Sequence, residues 1–211
     1  MKDNEKLEAV RAVLAQIEEF ELEDRWAVLE QALEISTASR VPKLVIKQDI
    51  DPGRVPRDGD YLGHMVCWHD RSNLGDAQPC GDGAEWFEEN VDPNGVCLPL
   101  YLYEHSGMTM QTAPFNCPWD SGQVGWIYAS PEAIKKFYGD VSEDTKVLVL
   151  KVLEAEVKEY DYHLRGQVWG FEFGDDSCWG FVGDELDDTG IKDHLPEVAH
   201  SQLEEAWEAR S

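Results

Sequence analysis

The sequence predicts an α+β protein with a central, mostly antiparallel sheet, flanking helices and an N-terminal helical hairpin. Three observations carry this expectation. Apolar residues recur at helical spacing near the N-terminus, short aromatic and β-branched runs bounded by turn residues fill the middle, and capped helical segments flank those runs. A chain of 211 residues with 42% hydrophobic content is long enough to bury one substantial core. The expected division is a helical extension over residues 1–40 and a single α+β domain over 41–211.

Leu7, Val10, Leu14, Ile17 and Phe20 place an amphipathic helix over about 5–20, with Glu8, Glu18, Glu19 and Glu21 off its stripe. Such a stripe needs a partner. Asp24 can cap a second helix carrying Trp26, Leu29 and Leu33 to about Ile35, and Ser36-Thr37-Ala38-Ser39 follows as a linker. Lys43–Lys47 is a short strand, the Pro- and Gly-rich stretch 49–60 a loop, and Tyr61–His69 an extended segment that turns at Asn73–Asp76. Turn-rich segments at 77–83 and 92–95 flank a short apolar island, Trp86-Phe87. Leu98–Tyr103 and Gln123–Ala129 have the composition and length of the central strands.

Ser130 as cap, Pro131 at the first position and Gly139 after Lys135-Lys136 define a helix from both ends. Ser142 starts another, expected to reach about Lys158, although Val147–Val152 favours a strand by propensity alone. Tyr160–Phe173 and Ser177–Val182, separated by Gly174-Asp175-Asp176, form an aromatic hairpin in which Trp169, Phe171, Trp179 and Phe181 pack across strands. Pro196 opens a last helix to about Ala209.

Charge is the most unusual bulk property, because 43 acidic residues face only 18 basic ones. Between Ser72 and Ile134 there is no Lys or Arg, while nine acids occur. A second zone, Glu172 to Glu208, has twelve acids and the single base Lys192. Such a surface repels phosphate backbones, so direct nucleic-acid binding is disfavoured, and basic proteins or metal cations become the natural partners. The candidate binding carboxylates are Asp76, Asp82, Glu85, Glu88, Glu89 and Asp92. The competing explanation is plain solubility or adaptation to a saline cytoplasm.

No apolar run approaches the roughly 20 residues of a membrane helix, and neither a secretory signal nor a transit peptide fits the N-terminus, so a cytoplasmic protein is expected. Cys67, Cys80, Cys97, Cys117 and Cys178 are odd in number and widely spaced, which suits reduced thiols in that compartment.

Two clusters carry potential chemistry. The loops around Glu104-His105-Ser106-Gly107 and Cys117-Pro118-Trp119-Asp120 hold a thiol, an imidazole and a carboxylate, the set a nucleophilic cysteine needs if His105, Cys117 and Asp120 converge. The alternative is that Asp120, Ser121 and Asn116 cap turns, Cys117 is a small buried apolar residue and His105 is hydrogen-bonded within the fold. In the second cluster, Cys67 and His69 share a strand face, offering two zinc ligands that would need remote partners such as Cys178 or Asp70. Its alternative is a half-buried strand with His69 and Asp70 pairing at the edge. No P-loop, GxGxxG, HExxH or EF-hand loop is present, so no cofactor is implied beyond that zinc alternative.

The blocks LPLYLYEHSG (98–107), CPWDSGQVGWIY (117–128) and DSCWGF (176–181), with YLGHMVCWH (61–69), resemble a family of hypothetical proteins encoded by tailed phages and mobile elements. The resemblance spans about residues 58–182 and implies a phage-type genomic setting; it supplies no catalytic residue. The leading expectation is an acidic accessory protein that binds and modulates or inhibits a basic host protein handling nucleic acid, such as a defence nuclease. The alternatives are a thiol-dependent hydrolase or transferase using Cys117 and His105, and a virion or assembly component that oligomerises through its N-terminal helices.

Overall fold

The computed structural model describes residues 41–50, 57 and 59–210, with positions 8, 10–12, 29, 30, 32 and 33 before them. The helical hairpin expected over 1–40 falls almost wholly outside the described residues. The chain forms two compact units, a smaller one from residues 1–46, 171–177 and 192–210 and a larger one from 47–170 and 178–191. The architecture is mixed α+β. It contains a four-stranded sheet and a three-stranded sheet where one central sheet was expected.

In order along the chain come β1 (Leu44–Gln48), β2 (His64–Cys67), α1 (Gly83–Asn90), β3 (Val96–Glu104), β4 (Met108–Gln111), β5 (Ser121–Ala129), α2 (Pro131–Tyr138) and α3 (Glu143–Leu164). They are followed by β6 (Val168–Phe173), β7 (Asp176–Val182), α4 (Leu186–Thr189), α5 (Ile191–His194), a 3-10 turn (Glu197–Gln202) and α6 (Leu203–Glu208). The three-stranded sheet has the order β1-β6-β7.

In the smaller unit, the Gln202 side chain accepts from the Leu44 amide at 3.0 Å and donates to the Pro42 carbonyl at 2.9 Å, tying the C-terminal segment to the start of β1. Ala199, Leu203 and Trp207 are buried. The single helix expected after Pro196 is therefore two pieces, a 3-10 turn and a short α-helix.

The larger unit is built on the antiparallel sheet β2-β5-β3-β4, in which the strands expected at its centre do occupy it. Val96, Leu100, Leu102, Met110, Ile127 and Ala129 bury one face together with Val149, Leu153 and Val157 of α3. Gly125 permits the close approach of β2, since a Cβ there would lie 1.9 Å from the Val66 carbonyl oxygen.

Helix α3 prevails over the strand propensity of 147–152 for two physical reasons. Ser142 caps it, accepting from the Thr145 amide at 3.3 Å, and Glu143 and Asp144 complement the positive end of its dipole. Among its buried residues, Thr145, Val149, Leu153, Glu156, Val157 and Tyr160 recur at helical rather than alternating spacing. The helix runs on to Leu164, so Tyr160–Leu164, expected as the start of an extended strand, is its last turn.

Three polar side chains of α3 face inward and hold the chain on either side. Glu156 accepts from the Leu62 amide at 2.9 Å, the Gly63 amide at 3.1 Å and Arg57 Nη2 at 3.2 Å. The Tyr160 hydroxyl accepts from the Gly75 amide at 2.8 Å. Asp161 accepts from Thr109 Oγ1 at 2.5 Å and the Met110 amide at 2.7 Å, on edge strand β4. Gly75 is needed where it stands, with φ +67° and room for no Cβ beside the Met65 carbonyl.

Arg57 is the hub of this network. Its side chain is only 2% exposed, donates to Asp76 at 2.8 Å and to the Gly63 carbonyl, and stacks over Tyr61 with the guanidinium carbon 4.3 Å from the ring centre. Burial pushes the Asp76 carboxyl up, but hydrogen bonds from His64, Arg57 and the Met65 amide outweigh it and hold that carboxyl below the ordinary carboxylate range.

Glu156→Ala would remove one of the two carboxylates that answer the buried Arg57 guanidinium and leave the Leu62 and Gly63 amides without their acceptor, so urea denaturation of this variant should show a loss of about 3–5 kcal/mol. Because the folded-state pKa of Asp76 is depressed, its contribution is present above the unfolded value and disappears as pH falls through the folded one. Acid titration of Asp76→Asn should accordingly show a stability deficit at neutral pH that narrows below about pH 4.

Candidate functional site

The face of the four-stranded sheet opposite the α3 core is aromatic. Trp126 alternates with buried Ile127 along β5 and so points away from the core. Trp68, just past β2, meets it edge-on with ring centres 5.7 Å apart and planes at 84°. Helix α1 docks here through the Trp86-Phe87 island, Trp86 lying 5.7 Å from Trp68 and Phe87 5.2 Å from Trp126. Pairs of this geometry add about 0.5–1.5 kcal/mol each beyond the area they bury.

Asp82 caps α1, accepting from the amides of Ala84 at 2.8 Å and Glu85 at 3.2 Å. With the aromatic residues turned toward the sheet, Glu85, Glu88 and Glu89 lie exposed. Among the described residues none of these three forms an ion pair or hydrogen bond through its side chain. Glu88 and Glu89 sit near the C-terminal end of the helix, which has no basic residue in its last turn. Carboxylates there oppose the helix dipole. Their placement works against the helix that carries them.

Asp92, also exposed, accepts from the Asn94 amide at 2.7 Å and shapes the following turn. Asp76 stands apart from this group. It is committed to Arg57, His64 and the Met65 amide, and so is not available as a binding carboxylate of an open surface. Asp82, Glu85, Glu88, Glu89 and Asp92 remain as the exposed set.

The second cluster lies where the β3–β4 turn meets the loop entering β5. His105 Nδ1 and Cys117 Sγ each lie 3.6 Å from the same oxygen, Asp120 Oδ2. The three residues singled out in the sequence do come together, but with the carboxylate in the middle. In a cysteine nucleophile site the imidazole stands between thiol and carboxylate, because it must take the thiol proton. Here a thiolate would face a carboxylate.

The loop is well tied down. Ser121 Oγ donates to the Cys117 carbonyl at 2.6 Å, the Glu104 amide donates to the Asp120 carbonyl at 2.9 Å, and Phe115 packs on Tyr103 at 5.7 Å. Trp119 projects from it, 90% exposed.

Cys67 and His69 do not share a site. Cys67 lies in the core, where burial and the Asp76 carboxylate push its thiol up to about 12. His69 points elsewhere, its Nδ1 accepting from the Ser72 amide and its Nε2 lying 3.4 Å from Glu104, which also pairs with Arg71. Among the described residues no group of three or more His, Cys, Asp or Glu side chains is placed to hold a metal ion. Trp179 departs from the aromatic packing expected of β7. It lies over Gly170 but stays 44% exposed, and Gly180 with φ +90° interrupts the alternation between it and buried Phe181.

A cleft of about 420 Å³ lies between α3 and the β7–α4 region. Within it Asp188 accepts from both Lys158 at 3.3 Å and Tyr162 at 3.1 Å, and Glu159 accepts from the Tyr61 hydroxyl at 2.9 Å. Among the described residues no helix is long and apolar enough to cross a membrane.

No protein-family model matches the chain, and neither a curated protein nor a solved structure is significantly similar to it.

Helix α1 is the element sequence reasoning missed. The spacing of Asp82 and Glu85 is a helix-start signature that would have found it. Replacing Glu88 and Glu89 by Gln relieves an unfavourable helix end, so thermal melting of the double variant should rise by about 1–3 °C if these carboxylates serve no purpose in the fold.

Proposed function

We propose that the protein works by binding, presenting the carboxylates of α1 and its flanks to a basic protein partner. The observation that carries this reading is the exposed set Glu85, Glu88 and Glu89, unpaired among the described residues, on a helix anchored by four aromatic rings. A helix end that disfavours negative charge nevertheless carries it, and no Lys or Arg occurs from Ser72 to Ile134 to neutralise it. The rings fix the helix on the sheet, so its carboxylates meet a partner with little loss of conformational freedom.

The fitting partner is a protein whose basic groove ordinarily takes nucleic acid, since that groove offers the positive field such a surface complements. In the phage-type setting the blocks resemble, this is a host nucleic-acid-handling protein, such as a defence nuclease, which the acidic protein would modulate or inhibit. The protein itself would not contact nucleic acid.

Affinity capture from host lysate tests the proposal. Specific partners should elute as salt rises from about 0.05 to 0.3 M, because screening shortens the reach of surface charges. The Glu85→Gln/Glu88→Gln/Glu89→Gln variant should retain its fold and lose about tenfold or more in affinity for the captured protein. Capture indifferent to both salt and these substitutions would remove the proposal.

A second reading, a thiol hydrolase or transferase, has one observation in its favour, the convergence of His105 and Cys117 on Asp120. Alkylation kinetics decide it. A nucleophilic Cys117 should react with iodoacetamide below neutral pH, at a rate that falls in His105→Ala. Slow labelling, rising only above about pH 8, would leave the thiol a structural one.

A further inference from the structure

Helix α3 has a second face, and it carries a different pattern from α1. With residues turning by roughly 100° each, the side opposite buried Val149, Leu153 and Tyr160 presents Asp144, Val147, Leu148, Lys151 and Ala155. All five are exposed, Val147 by 54% and Leu148 by 51%. Helix α2 ends four residues upstream of Ser142 in two more exposed apolar residues, Phe137 and Tyr138. Neither Asp144 nor Lys151 forms an ion pair among the described residues.

We infer that this stripe docks a second copy of the chain, as an antiparallel pair of α3 helices. Charge order selects that occupant. The acid stands three residues before Val147 and the base three residues after Leu148. Turned end for end about a twofold axis between Val147 and Leu148, the stripe sets Asp144 against Lys151 of the other copy, twice, with Val147 against Leu148 between them. A surface acidic at one end and basic at the other complements its own reversed image, as an isologous interface requires, and a partner of uniform charge does not. The pairing is independent of the basic partner proposed for α1.

Its strength is bounded from two sides. A single helix pair with a few apolar side chains lies at or below the low end of the roughly 1,200–2,000 Å² that stable complexes bury. The formal charge of -25 on each copy repels the other. The dimer is therefore weak, and salt strengthens it by screening that net repulsion, the opposite of its expected effect on a basic partner.

Sedimentation velocity of the full chain, from about 10 to 300 μM and in about 0.05 and 0.5 M NaCl, tests the inference. A reversible dimer that grows with concentration and with salt is expected, lost in Leu148→Glu. Lys151→Glu should weaken it about three- to tenfold by placing carboxylates opposite each other, and Asp144→Lys/Lys151→Glu should restore it by exchanging the partners. Thermal melting of each variant checks that its monomer remains folded, Asp144→Lys alone serving as the control for the lost first-turn acid, and the charge exchange stands as a test even if Leu148→Glu perturbs the helix. A monomer under every condition, a dimer indifferent to Leu148→Glu, or a double variant no better than Lys151→Glu alone would overturn the inference.

Discussion

Helix α3 can stay in place only because the charges it buries are answered. Glu156 enters the interior of the larger unit and finds a guanidinium and two backbone amides there. An unanswered carboxylate in that position would be severely destabilising, and so would Arg57 without it. Arg57 takes a left-handed backbone conformation, φ +76°, that non-glycine residues seldom adopt. Among the described residues its Nη1 has no hydrogen-bond partner, and Asp76, Glu156, the Gly63 carbonyl and the Tyr61 ring carry the compensation. Removing any of them acts on the loop before β2 and on α3 together.

Asp161 and Tyr160 extend the same device to the sheet and the turn after β2. A short edge strand such as β4 presents amides that no neighbouring strand receives. The Asp161 carboxylate receives one of them, at Met110, together with the Thr109 hydroxyl. One helix therefore supplies both an apolar stripe for the core and the acceptors that finish the sheet. The two kinds of contact fix its rotation more narrowly than apolar packing alone would.

The acids of this chain divide by that constraint. Glu156, Asp161 and Asp76 belong to the interior and its immediate border, where backbone amides and Arg57 hold them. Glu85, Glu88 and Glu89 belong to a helix fastened from beneath by indole and phenyl rings, and among the described residues no side chain pairs with their carboxylates. A count of charges treats these two groups alike. Their surroundings separate structural carboxylates from those free to meet a partner.

Local rules carried far in this chain. Ser130, Pro131 and Gly139 bounded one helix, Ser142 began another, the runs around Leu100 and Ile127 formed the middle of the sheet, and the mixed α+β class followed from their sequence of types. These features rest on contacts within a few residues, or on alternation that any buried strand must show, and so could be read from the order of residues. Other features depended on partners remote in the chain. Folding alone brings Asp76 to Arg57, sets Asp120 between Cys117 and His105, and lets Trp86 and Phe87 anchor a helix to Trp68 and Trp126. The physical reason is that a side chain's role is set by which groups share its dielectric surroundings, and that is a property of the folded chain.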